Sequence, residues 1–105
     1  AYSVYLIRKD GQDIGYLTML QADVVILQSL YIISAYQRQR IGRTAFDFIK
    51  AHCREHGAES FICHCVPENL NARAFYERMG GRVIGADLAN EEPWQNSVTY
   101  RFDLI

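Results

Sequence analysis

The chain of 105 residues predicts a single α+β domain, a mixed β-sheet covered by helices in the order β-β-β-α-β-α-β-β. Three observations predict it. The first third is built of strand-like runs rich in β-branched and aromatic residues, separated by two short turns. Two later segments switch to apolar spacings of three and four, the period of an amphipathic helix. A strand between those helices and two after them return to period two.

Ser3–Lys9 (SVYLIRK) is the first strand, and Asp10-Gly11 is a hairpin turn signal. Asp13–Leu20 pairs antiparallel with it. Gln21-Ala22-Asp23 turns the chain into Val24–Ile33, a third strand apolar enough to be buried on both faces. Ile41–His56 is a helix whose core stripe is Ile41, Ala45, Phe48, Ile49 and His52 or Cys53, ended by Gly57. Ser60–Val66 is a short apolar strand. Pro67 and Asn69 punctuate the chain, and Asn69 can cap the helix Leu70–Met79. That helix puts Leu70, Ala74, Phe75 and Arg78 near one side and closes at Gly80-Gly81. Arg82–Asp87 is a strand, 88–96 a loop, and Ser97–Leu104 the last strand. A right-handed crossover from Val24 to Val66 makes its two strands parallel, while the others are antiparallel.

Half the residues are hydrophobic and 22% are charged, which suits one packed core and argues against disorder. The net charge of −1 excludes a generally basic, nucleic-acid-binding surface. No apolar run reaches the ~20 residues of a membrane span, and no signal-peptide pattern leads the chain. Cys53, Cys63 and Cys65 cannot all pair. Cys63 and Cys65 face one side of a strand at roughly 6.5–7 Å, too far for a good disulfide. Reduced thiols in a cytoplasmic protein are the simplest account. His64 points away from both thiols in that strand, which argues against a metal site there.

The basic residues gather in one place. Tyr36–Arg43 (YQRQRIGR) joins the third strand to the first helix. The first N–H groups of a helix have no internal partner, and the helix dipole adds partial positive charge. Arg38, Arg40 and Arg43 add full charges. The turn is therefore suited to phosphates. It lacks the Gly-Lys-Ser/Thr ending of a P-loop, which argues against a nucleotide- or RNA-binding domain.

Three motifs in order resemble the GNAT superfamily of N-acetyltransferases. The first is the apolar strand running into YQRQRIGR, where Gln37, Arg40 and Gly42 take marked positions of the family's pattern Gln/Arg-x-x-Gly-x-Gly/Ala. The second is Pro67-Glu68-Asn69, about 25 residues on. The third is Ala72–Gly81 (ARAFYERMGG), similar to the family's Phe-Tyr-Glu helix end. The resemblance covers nearly the whole chain, residues 1–105 as one domain. It departs from the family at Arg40, where a glycine is usual; arginine there calls for a negative φ and a side chain pointing outward. It also lacks the family's initial strand and two helices, so the domain looks N-terminally short or truncated, or borrows that wall from a partner.

The resemblance implies acetyl transfer from acetyl-CoA, as co-substrate, to an amine of a small molecule or peptide, with no metal, nucleic acid or membrane. It implies a diphosphate site at Arg38, Gln39, Arg40, Ile41, Gly42 and Arg43. The pantetheine arm would lie along the free edge of Leu30, Tyr31 and Ile32, where the two parallel strands splay. Asn69 would contact the cofactor and Tyr76 would protonate the departing thiolate as general acid. His64, where some relatives carry a glutamate, would act as base, with a water relay as the alternative. Glu91, Glu92 and Trp94 lie in a loop that borders the acceptor in relatives. The missing wall and a long free sheet edge favour a partner chain, such as a homodimer. The same gap motivates a second reading, a non-catalytic acetyl-CoA sensor or interaction module.

Overall fold

The computed structural model describes residues 2–37 and 39–104. Six strands form one sheet: β1 (Tyr2–Lys9), β2 (Gln12–Gln21), β3 (Val25–Ile32), β4 (Ser60–Cys65), β5 (Arg82–Asp87) and β6 (Ser97–Asp103). Their order across the sheet is β1-β2-β3-β4-β6-β5. Helices α1 (Ile41–Glu55) and α2 (Leu70–Arg78) fill the two connections flanking β4. Each element falls where residue periodicity predicts it. The connection before β6 adds one short helical turn, Pro93–Gln95.

The two helices pack on one face of the sheet. Phe46 of α1 sits at the centre, fully buried, with its ring 5.3 Å from Phe75 of α2, 5.8 Å from Phe61 of β4 and 5.1 Å from Phe102 of β6. Phe61 and Phe102 stack at 4.7 Å. Leu17, Met19, Leu27 and Cys63 complete this core from the strands. The stripe of α1 is therefore Ala45, Phe46, Ile49 and Cys53; Phe48, expected inside, is 43% exposed. Spacings of three and four admit both faces of that register, and contact with β4 and β6 selects Phe46. In α2 the inward side is Phe75, Tyr76 and Met79. Leu70, expected to point inward, is 71% exposed, and Ala74 and Arg78 are exposed with it.

The other face of the sheet carries no helix among the described residues. Tyr2, Val4 and Leu6 of β1, Tyr16 of β2 and Tyr31 of β3 are exposed there. The expectation that the third strand is buried on both faces therefore fails. Only Leu27 of β3 is fully buried, because helices cover one side alone.

β3 does not stay with β4. The two pair in parallel over three residues only, Val25↔Phe61 to Leu27↔Cys63. On the far side of β3, Leu27 faces Met19 and Ser29 faces Thr18, so Gln28 is an extra residue, a β-bulge. A bulge bends its strand and increases its twist. Pairing with β4 stops at that bulge. Beyond it β3 follows β2, β4 follows β6 in an unbroken ladder, and the sheet opens into a split.

Candidate active site

The split continues into a cavity of about 700 Å³, within the range of small-molecule sites. Its wall on the sheet side is Leu30 and Ile32. The turn and helix start supply Tyr36, Gln37, Arg40, Gly42 and Arg43, and α2 supplies Tyr76 and Arg78 among others.

The strand edge follows from ladder geometry. Ile33 N–H donates to Ile14 C=O at 2.8 Å, which makes Gly15↔Ile32 a non-hydrogen-bonded pair. Antiparallel pairs alternate, so the peptide groups of Leu30 and Ile32 turn away from β2, toward the split. Those of Tyr31 turn toward β2. Of the three edge residues expected, Leu30 and Ile32 line the cavity. Tyr31 does not; its ring lies on the open sheet face, 5.8 Å from that of Tyr16. The side chain of Gln37 donates Nε2–H to Ile32 C=O at 2.8 Å and so holds the end of the edge.

At the turn, Arg40 is the N-cap of α1, with φ +63° and ψ +16°. The requirement of a negative φ is thus corrected: arginine takes the left-handed conformation that glycine adopts freely, at a cost of roughly 1–2 kcal/mol. No side chain caps this helix start and no acidic residue lies in its first turn, so its positive end is left for a ligand. A Cβ on Gly42 would sit 2.9 Å from the Phe75 ring, so the glycine lets the start of α1 lie against α2. Gln39 and Ile41 turn from the cleft to a second cavity beside β1, where Lys9 Nζ donates to Gln39 Oε1 at 2.9 Å. Arg38 lies outside the described residues.

Tyr76 faces the cavity from α2. Burial pushes its phenol up to about 12, and the neighbouring Cys63 and Cys65 thiols add to this. Burial likewise pushes the Cys63 thiol up to about 12, with Cys65 adding to it. The helix that carries Tyr76 is tied to the sheet through Tyr100, which is fully buried. The Tyr100 phenol donates to Glu77 Oε2 at 2.7 Å and accepts from Arg73 Nε at 3.0 Å. Lys50 Nζ donates to Met79 C=O at 3.0 Å, joining α1 to the end of α2.

Asn69 is the N-cap of α2: its Oδ1 accepts from Ala72 N–H at 3.1 Å, and the residue is not among those lining the cavity. His64 lies on the open sheet face, opposite to the side where Tyr76 packs. The pairing of β4 with β3 ends at Cys63, so the edge at His64 borders the split. His64 is not among the residues lining the cavity. Sequence reasoning missed Asn71, Ala72, Ala74, Phe75, Arg78 and Met79 of α2 and its end as lining residues. Arg78 has a legible signal, a cation one turn from Phe75 on the same helix, but its facing depends on how α2 is rolled. Among the described residues no three His, Cys, Asp or Glu side chains could hold a metal ion together.

A split sheet, an uncompensated helix start beside the free strand edge, and a half-buried tyrosine across the cleft together define an acetyltransferase-type fold. The sequence agrees: the model of the family described as "Acetyltransferase (GNAT) family" matches residues 1–81, and the chain belongs to that family. No curated protein sequence matches it. Solved structures with the same fold include a protein of Desulfovibrio desulfuricans described as an acetyltransferase of the GNAT family. It has a TM-score of 0.88 and 17% identity, over 99% of this chain and 70% of that one. A Bacillus subtilis acetyltransferase in complex with CoA has a TM-score of 0.85 and 14% identity, over 97% and 76%. A GNAT family acetyltransferase from Elizabethkingia anophelis with acetyl-CoA bound has a TM-score of 0.82 and 11% identity, over 95% and 74%.

Proposed function

We propose that the chain transfers an acetyl group from acetyl-CoA to an amine, with Tyr76 as general acid and His64 as base. The observation that carries this is the split itself. A strand edge, an arginine-flanked helix start and a half-buried phenol lie around one cavity. The residues present fit the donor: Arg40, Arg43 and the first N–H groups of α1 suit a diphosphate, and the Leu30 peptide groups and the Ile32 N–H suit an amide-bearing arm. When bound, acetyl-CoA supplies an activated thioester carbonyl.

The amine nitrogen attacks that carbonyl carbon, the C–S bond breaks, and the sulfur leaves with the electron pair. Tyr76 gives its phenolic proton to the sulfur, and His64 takes the proton the amine sheds. Burial pushes the Tyr76 phenol up to about 12, so at neutral pH it still holds the proton that the departing sulfur takes.

Acetyl-CoA with a panel of amines, read by thiol release, tests the reading. Tyr76→Phe is expected to lower kcat by roughly 10²-fold or more while acetyl-CoA still binds. Cofactor binding without turnover on any amine would sink the transferase reading. It would leave the second one, an acetyl-CoA-binding module, favoured by the uncovered sheet face beside His64.

A further inference from the structure

His64 and Thr99 stand directly opposite each other on β4 and β6. His64 Nδ1 and Thr99 Oγ1 are 2.8 Å apart on the open face of the sheet. Little competes for this hydroxyl. The β5 residue opposite Thr99 is Gly85, which brings no side chain. The nearest cation along β6, Arg101, has its Nε on Asp103 Oδ1 at 2.7 Å. With Nδ1 engaged, Nε2 is the ring nitrogen left for a substrate.

A neutral imidazole carries one proton, and the bond made by one nitrogen decides the state of the other. A base acting through Nε2 needs its proton on Nδ1. We propose that Thr99 is a positioning residue: its hydroxyl oxygen accepts Nδ1–H of His64 and fixes the tautomer whose Nε2 lone pair faces the acceptor side of the split. This rests on the reading of His64 as base. As the neutral amine attacks the thioester, Nε2 takes the proton that the nitrogen sheds, the imidazolium keeps its Nδ1–H···Oγ1 bond, and the ring need not turn; the sulfur receives its own proton from Tyr76.

The test is a long-range ¹H–¹⁵N correlation spectrum of the labelled whole chain, with His64 assigned through His64→Gln. The spectrum is taken at a pH where the ring is neutral. The wild type is expected to show a protonated Nδ1 and an unprotonated Nε2. Thr99→Val, close in shape and well suited to a strand, is expected to move the population to Nε2–H and lower kcat roughly tenfold with acetyl-CoA KM unchanged. That is less than the 10²–10⁴-fold typical of losing a base. Thr99→Ser restores both, and Thr99→Val adds no loss in a His64→Gln background. An Nε2–H tautomer in the wild type, or an unchanged tautomer and rate in Thr99→Val beside a slow His64→Gln, overturns the role of Thr99 and leaves His64 as base. Wild-type turnover in His64→Gln instead overturns the base reading, and the catalytic part of this inference with it.

Discussion

At Arg40 a single dihedral angle sets two effects against each other. The left-handed backbone favours glycine by roughly 1 kcal/mol, while Arg40 lines the cavity proposed to take the diphosphate. Arg40→Gly is therefore expected to raise stability toward urea by about 1 kcal/mol. It should weaken acetyl-CoA roughly fivefold at low salt, with the deficit shrinking as salt screens the charge. Urea melts and acetyl-CoA titrations at two ionic strengths check both; tighter binding in the glycine variant would show that Arg40 contributes nothing to the site. Strain of this kind is kept where surrounding structure over-determines it, and here the start of α1 is held by Gly42 against Phe75.

At the scale of elements, the site depends on where β3 leaves β4. Two features set this: the bulge at Gln28 and the close approach of β3 to β2 at Gly15. A Cβ on Gly15 would lie 2.1 Å from the Tyr31 carbonyl oxygen, a backbone atom that cannot swing aside. Gly15→Ala must push β3 at the edge formed by Leu30 and Ile32. The expected result is a loss of roughly 1–3 kcal/mol in stability and weaker acetyl-CoA binding. Gly57→Ala makes the comparison, since φ +77° strains it while nothing lies within 4 Å of its Cβ. It should lose stability without losing affinity per folded molecule. Equal affinity in both variants would show that the edge tolerates the shift. The tie through Tyr100 works at the same scale, because it fixes α2, and with it Tyr76, against β6.

Across the whole molecule, burial raises the thiols of Cys53, Cys63 and Cys65 and the phenols of Tyr76 and Tyr100, and so couples stability to alkaline pH. Cys63 and Tyr76 titrate ordinarily at 9.0 and 10.0 and are pushed up to about 12 in the fold. The unfolded chain then binds fewer protons than the native one above pH ~9, so stability must fall as pH rises. The contribution is complete below pH 9.0, declines through the interval up to about 12, and is lost above it. Urea midpoints measured at pH 8 and pH 10.5 are expected to drop in the wild type. The drop should be smaller in Cys63→Ala, measured against its own, lower, pH 8 midpoint. An equal drop would place the alkaline sensitivity elsewhere.

Residue pattern alone determined the elements and the family. Periods of two and of three to four are written locally, and so are the Asp10-Gly11 turn, the Gly57 stop, the Asn69 cap and the order of motifs from YQRQRIGR to FYERMGG. Which member of a local pattern faces inward was decided by tertiary contact. Phe46 rather than Phe48 is buried, and Phe75 with Tyr76 rather than Leu70 is half-buried, because the helices lie on β4 and β6. The split, the orientation of the Leu30 and Ile32 peptide groups, the left-handed Arg40 and the pairing of His64 with Thr99 all join residues distant in sequence or depend on strand register. Register and helix roll are set by packing across the sheet, whereas periodicity along the chain reflects only local burial.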